Sequence, residues 1–326
     1  MMFQLLAAGL ASMMITLFLG PKFIKFAIKN EFGQQVREEG PEEHLKTKAG
    51  IPTLGGILII IGMMVPFFIL REWSVKSLLV VITTLGCGAI GFADDYAKIR
   101  MKRSLGLRAR GKLLLQLVLA IVVGMIAVRY GGLSETIKIP MSESVINVGI
   151  AYYFIIFLWL AGFSNAVNLT DGLDGLAAGS VAVTMLTYMT IAFLTKQTDL
   201  GIIAACLGGA CVGFLWFNSF PAEIFMGDTG SLALGGAIAA MAFLTQTELL
   251  LIIIGAIFVA EAASVIIQVL GFKATGKRVF LMTPIHHHFE LMAWSETRII
   301  MRFWIVSAIF ASTGFTIFYI SLPPNR

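Results

Sequence analysis

Long apolar runs separated by short polar breaks dominate this chain, and a membrane-crossing helix needs roughly 17 to 25 mostly apolar residues. Ten runs meet or approach that length: residues 3–24, 52–70, 75–93, 112–129, 149–166, 175–194, 200–217, 231–245, 248–270 and 302–321. The eighth is short and rich in Gly and Ala, which predicts a helix packed inside the bundle rather than against lipid. The pattern predicts an all-α polytopic membrane protein of about ten spans, a single integral membrane domain over residues 1–326. No polar stretch is long enough to enclose a soluble core. The first run has no basic leader and instead carries Lys22, Lys25 and Lys29 at and just after its end, so it reads as a retained span rather than a signal peptide. Residues 130–147 carry Gly, Pro and alternating side chains, which predicts an external loop with a short hairpin.

Composition agrees with a lipid-solvated chain. Of 326 residues, 58% are hydrophobic and 13% charged, about half the ~25% charge of an ordinary soluble domain. Cys87, Cys206 and Cys211 lie inside apolar runs in no metal or disulfide spacing, so they read as small packing residues. No nucleic-acid partner is expected.

Charge assigns the sides. Most of the 24 Lys and Arg follow the first, third and ninth runs, leaving Arg71, Lys76, Arg129, Lys138, Lys196 and Arg326 on the other side. The positive-inside rule then makes those basic stretches cytoplasmic and puts both termini outside. This topology gathers the scarce polar residues at the cytoplasmic rim: Asp94 and Asp95 at the end of the third run, Asn165, Asn168, Asp171 and Asp174 after the fifth, Asn218 and Asp228 after the seventh, and His286, His287 and His288 after the ninth. Charges near span ends are costly and mark pathways or active sites.

Each group has its own chemistry. Adjacent carboxylates repel unless a cation or shared proton intervenes, and Asp94–Asp95 precede Lys98, Arg100, Lys102 and Arg103, as a magnesium–diphosphate site requires. Asp171-Gly-Leu-Asp174-Gly is either a plain turn or, with Asn165 and Asn168, a surface for a base or ribose. Phe225-Met-Gly-Asp228-Thr-Gly-Ser231 sets a carboxylate in a glycine-flanked loop opening a helix, where amides can face phosphate. A purely structural turn stays open there too. Three consecutive histidines cannot all reach one zinc from a regular helix, and no cysteine accompanies them. They read instead as phosphate-binding groups or as groups that position the reacting oxygen. His44 reads as a loop residue, Asp199 and Glu248 as helix-end groups, and Glu261 as a buried, bonded carboxyl.

Taken together, Asp94-Asp95-x-x-Lys98, Asn168-Leu-Thr-Asp171-Gly-Leu-Asp174-Gly, Gly227-Asp228-Thr-Gly-Ser231 and Pro284-Ile-His-His-His288-Phe-Glu resemble the polyprenyl-phosphate N-acetylhexosamine-1-phosphate transferases. The resemblance runs through nearly the whole chain, including Lys48-Ala-Gly-Ile-Pro-Thr-Leu-Gly-Gly56; departures at Ile51, Leu54 and Ala293 touch no charged group. The histidine loop is its most specific element and points to the branch that makes lipid I for peptidoglycan in the bacterial plasma (inner) membrane. The resemblance implies a Mg²⁺-dependent exchange at the cytoplasmic face between UDP-N-acetylmuramoyl-pentapeptide and undecaprenyl phosphate. It places Asp228 on the metal with Asp94 and Asp95 close by, and Asp94 as the group that orients or deprotonates the lipid phosphate. Lys48, Asn168, Asp171, Asp174, Asn218 and Phe225 would surround the uridine and diphosphate, with Phe225 against uracil. His287 and His288, in the catalytic set, would contact phosphate or metal-bound groups, Lys98, Lys102 and Lys112 would supply positive charge, and Gln268 joins the substrate-binding set. The partner expectations also include a homodimer.

Rival classes fare worse. A GlcNAc-1-phosphate transferase shares the motifs but differs at the histidine loop. CDP-alcohol phosphotransferases continue their Asp-x-x-Asp-Gly core into Ala-Arg, and Gly179 stands where that Arg belongs. Ion-coupled transporters concentrate acids at the midplane and often duplicate their halves, whereas these acids line one rim and no repeat stands out.

Overall fold

The computed structural model describes residues 1–33, 50–70, 73–101, 106–142 and 144–322. Among them the chain forms α1 (Met2–Lys29), α2 (Gly56–Leu70), α3 (Val75–Met101), α4 (Ala109–Tyr130), the strands β1 (Thr136–Lys138) and β2 (Val145–Asn147), then α5 (Ala151–Thr170), α6 (Leu176–Leu194), α7 (Thr198–Asn218), α8 (Gly227–Leu244), α9 (Glu248–Ile254), α10 (Ala256–Thr275), α11 (Ile285–Leu291) and α12 (Glu296–Ile320). Nine of these helices are long and apolar enough to cross a membrane, and α2 is a shorter apolar helix. The expected hairpin is present as an antiparallel pair that sets Ile137 opposite Ile146.

Helix α8 is the centre of the bundle. Every residue from Thr229 to Leu244 is buried, against α3 and α5 above all. Its run of Gly, Ala and Ser lets backbones approach closely, which is how helices associate where lipid offers no hydrophobic drive. Two glycines make the approach possible. A Cβ on Gly91 of α3 would lie 2.1 Å from the Asp228 carbonyl oxygen, and one on Gly235 of α8 would lie 2.3 Å from the Phe163 carbonyl oxygen. Around this core α7 packs on α1, α6 and α2. Helices α1, α4, α10 and α12 turn most of their apolar surface outward. Phe3 is 83% exposed and Ile150 86%; so much apolar surface suits a hydrocarbon solvent and would aggregate in water.

At 15 residues, α2 is about 22 Å long, less than the ~30 Å hydrocarbon core. Residues 50–55 complete its path beside the start of α8. The Phe225 N–H donates to the Pro52 carbonyl, and the Gly55 and Gly56 N–H groups donate to Phe225 and Met226 carbonyls, each at 2.9 Å. Irregular backbone packed within a membrane bundle needs such protein partners.

Two expectations are corrected. The run at 248–270 is not one helix: it breaks at Gly255 into α9 and α10, and α10 leaves the core while α9 stays in it. Apolar periodicity cannot reveal such a break, because both pieces are equally apolar. The third span does not end at residue 93 but continues to Met101, so Asp94, Asp95 and Lys98 sit on a helix, with Lys98 one turn from Asp94.

The close approach at Gly91 generates a prediction. Gly91→Ala forces α3 away from α8, and overpacking of this kind costs about 1–3 kcal/mol. The unfolding temperature of the detergent-purified protein should fall; an unchanged value would show that the helices do not meet there.

Candidate active site

The first amides of an α-helix have no intrahelical acceptor, and those of α8 begin inside the bundle. Asp95, reaching from α3, supplies what they lack. Its Oδ1 accepts the Asp228 N–H at 3.1 Å, and its Oδ2 accepts the Thr229 N–H at 2.8 Å and the Thr229 hydroxyl at 2.7 Å. A carboxylate here also answers the positive end of the helix dipole. This cap locks α3 to α8 and brings Asp94 and Asp228 to the same spot.

Two lysines lie between the acids. Lys98 Nζ is 2.6 Å from Asp94 Oδ2, 3.0 Å from Asp228 Oδ1 and 3.6 Å from Asp95 Oδ1. Lys112 Nζ, from the first turn of α4, is 2.9 Å from Asp94 Oδ1 and 2.6 Å from Asp228 Oδ2. Asp94 also accepts the Leu107 N–H at 2.6 Å. Asn168, near the end of α5, donates to Asp228 Oδ1 at 3.0 Å and to the Ser231 hydroxyl at 2.8 Å. Asp94 and Asp95 are buried and Asp228 is half-buried. Three carboxylates against two ammoniums leave a formal excess of negative charge. One oxygen from each acid lies within 4.8 Å of the others, so together they could hold a metal ion. All-oxygen donors of this kind suit a hard divalent cation, and the two ammoniums show that positive charge is accommodated between them.

A second group of expected residues braces the neighbouring loops. Asp174 Oδ2 accepts the Ala222 N–H at 2.9 Å, and the Asp174 N–H donates to Glu296 at 3.0 Å. Asn218 accepts the Gly175 N–H at 3.1 Å and donates to the Ile224 carbonyl at 2.9 Å. Asp171 caps the end of α5, and Phe225 is half-buried, with its N–H donating to the Pro52 carbonyl. Gln268 braces a third loop: its Oε1 accepts the Val279 and Phe280 N–H groups at 3.0 and 2.9 Å, and its amide donates to the Phe280 carbonyl at 3.2 Å.

The histidines sit on the short helix α11, and each Nδ1 has a different partner. His286 meets Glu261 at 3.1 Å, His287 meets Glu290 at 2.5 Å, and His288 accepts the Leu281 N–H at 3.1 Å. A neutral His288 must then carry its proton on Nε2, as a hydrogen-bond donor. Lys48, Lys102 and His44 lie outside the described residues.

Thus Asp94, Asp95, Asp228, Lys98, Lys112 and Asn168 form one network, whereas Asp174, Asn218 and Gln268 shape the loops around it. Sequence reasoning overlooked Thr229 and Ser231 as members, and Glu290 and Glu296 as braces. Thr229 and Ser231 lie in the first turn of α8 beside Asp228 and could have been found as helix-start polar residues. Glu296 binds a turn more than 120 positions away in the chain, and no local signal marks that.

Comparison with known proteins follows the same lines. A family model described as Glycosyl transferase family 4 matches residues 77–246. The chain is 49% identical over 311 residues, 94% of its length and 95% of the relative's, to the phospho-N-acetylmuramoyl-pentapeptide-transferase of Geobacillus sp. (strain WCH70). It is 44% identical to the protein of that name from Rubrobacter xylanophilus over 98% of this chain and 99% of the relative, and 48% identical to that from Desulfitobacterium hafniense over 95% and 96%.

The cap and the cluster separate by substitution. Asp95→Ala strands buried amides, costing about 1–3 kcal/mol, and should lower the unfolding temperature. Asp94→Asn keeps an acceptor for the Leu107 N–H and removes one charge from an acidic excess, so thermal unfolding should show no comparable loss. Equal losses in the two variants would contradict the division of roles.

Proposed function

Because this chain belongs to glycosyl transferase family 4, we propose that it transfers phospho-N-acetylmuramoyl-pentapeptide from UDP-N-acetylmuramoyl-pentapeptide to undecaprenyl phosphate. The products are lipid I and UMP, in the first membrane step of peptidoglycan synthesis. The observation that carries the chemistry is the set of three carboxylates and two lysines at the buried start of α8. One substrate is a lipid and the other a soluble anion, so the reaction belongs where the bilayer meets water, at one end of the bundle. The basic stretches after the first, third and ninth runs favour the cytoplasmic face of the plasma membrane as that end, with both chain termini outside.

In this reading a phosphate oxygen of the lipid attacks the β-phosphorus of the donor. The bond from that phosphorus to the bridging oxygen breaks, and its electron pair leaves with UMP. A phosphate monoester is already mostly ionised at neutral pH (its second pKa is about 6), so positioning matters more than proton removal. Lys98 and Lys112 hold fixed positive charge where the diphosphate must lie and oppose the charge that develops on its oxygens. Asn168 keeps the Asp228 carboxylate turned toward the lysines. His288, as an Nε2–H donor, suits a phosphate oxygen, and the Phe225 ring suits the face of uracil. Asp228, Asp94 and Asp95 would hold Mg²⁺, which would neutralise diphosphate charge and polarise the phosphorus under attack.

The test is UMP release by the purified protein from UDP-N-acetylmuramoyl-pentapeptide. Release should need both undecaprenyl phosphate and Mg²⁺ and should stop with EDTA. Asp228→Ala should lose on the order of 10²-fold or more in turnover; unchanged turnover would sink the metal assignment. Release from UDP-GlcNAc but not from the muramoyl donor would move the chain to the sister specificity.

A further inference from the structure

Glu261 of α10 and His286 of α11 are both fully buried, at 0% exposure. A hydrogen bond of 3.1 Å joins Glu261 Oε2 to His286 Nδ1. Among the described residues the other two polar atoms of the pair, Glu261 Oε1 and His286 Nε2, have no hydrogen-bond partner. His286 Nε2 faces the turn after α5: a Cβ on Gly172 would stand 2.3 Å from it, and the nearest atoms to that position all belong to the His286 ring. Gly172 follows Asn168 by four residues, and Asn168 donates to Asp228.

Packing alone does not account for this pair. Apolar side chains of similar volume are often as stable as a buried polar pair or more so, an acid within a membrane span is expensive, and two unpaired polar atoms add to the cost. What the pair does achieve is direction. A hydrogen bond at Nδ1 fixes the plane of the imidazole, and that ring is what the Gly172 backbone rests on. Resting on the transferase reading above, we propose that Glu261 is a positioning residue. Through His286 it sets the turn at residues 171–175, and with it Asn168 against Asp228, without touching either substrate.

The experiment uses the full-length protein in lipid nanodiscs and reads two quantities. One is amide hydrogen exchange without substrate, and the other is the kcat and KM for UMP release. Glu261→Leu removes the hydrogen bond, whereas Glu261→Gln keeps a group that can make it. In Glu261→Leu, residues 168–176 should exchange on the order of 10-fold faster, because the turn loses its support. Its kcat should fall on the order of 10- to 100-fold with the KM for undecaprenyl phosphate unchanged. Glu261→Gln should restore exchange and kcat to within about 3-fold of wild type, a difference of less than 1 kcal/mol. Gly172→Ala attacks the same contact from the other side and should reproduce the faster exchange, so it decides the matter if Glu261→Leu does not fold. Wild-type exchange in residues 168–176 of these variants, wild-type kcat in Glu261→Leu, or equal damage in Glu261→Gln and Glu261→Leu would overturn the proposal. Absence of UMP release from the wild-type protein would instead refute the transferase reading, and the exchange comparison would still decide the positioning role.

Discussion

A helix that starts inside a membrane bundle must find acceptors for its first amides, because neither lipid nor its own backbone provides them. At the start of α8 that acceptor is Asp95, and much of the site follows from it. The cap needs α3 close to α8, which Gly91 permits. The same approach delivers Asp94 and Lys98 to Asp228, since they lie beside Asp95 and within one helical turn of it. A second carboxylate and an ammonium thus arrive with the cap, and Lys112 from α4 completes the cluster. One interaction therefore serves both stability and the placement of charge.

The surrounding loops extend this logic. Asp174, Asn218 and Gln268 direct named hydrogen bonds to neighbouring backbone. Those bonds fix the shape of the loops that carry them. The histidine helix is tied down in the same manner, with carboxylates at His286 and His287 and a backbone amide at His288. Three identical residues in a row thereby acquire three different chemical settings.

The sequence was legible where local pattern decides structure. Apolar run length predicted the long apolar helices though not the shortness of α2, the Gly/Ala-rich eighth run predicted the buried helix, and the alternation near residue 137 predicted the hairpin. Asp94, Asp95, Asp228, Lys98, Lys112 and Asn168, each singled out in the sequence on separate grounds, lie in one network of contacts. What stayed hidden depends on distant contacts. The break at Gly255 is set by packing, because a glycine within an apolar run is compatible with an unbroken span. The continuation of α3 to Met101 was missed because the acids ended the apolar signal while the helix itself went on. Asp95 as a cap for another helix, and Glu296 as a brace for the turn at Asp174, pair residues more than 120 positions apart. No single-sequence periodicity encodes such pairs.

The central claim is that the acids gathered at the start of α8 form a divalent-cation site. Titration of Mn²⁺ into the purified protein, followed by electron paramagnetic resonance, tests it most directly. The account predicts a bound Mn²⁺ population that Mg²⁺ displaces and that Asp228→Asn abolishes in an otherwise folded protein. No bound Mn²⁺ in the wild-type protein, or equal binding in Asp228→Asn, would contradict it.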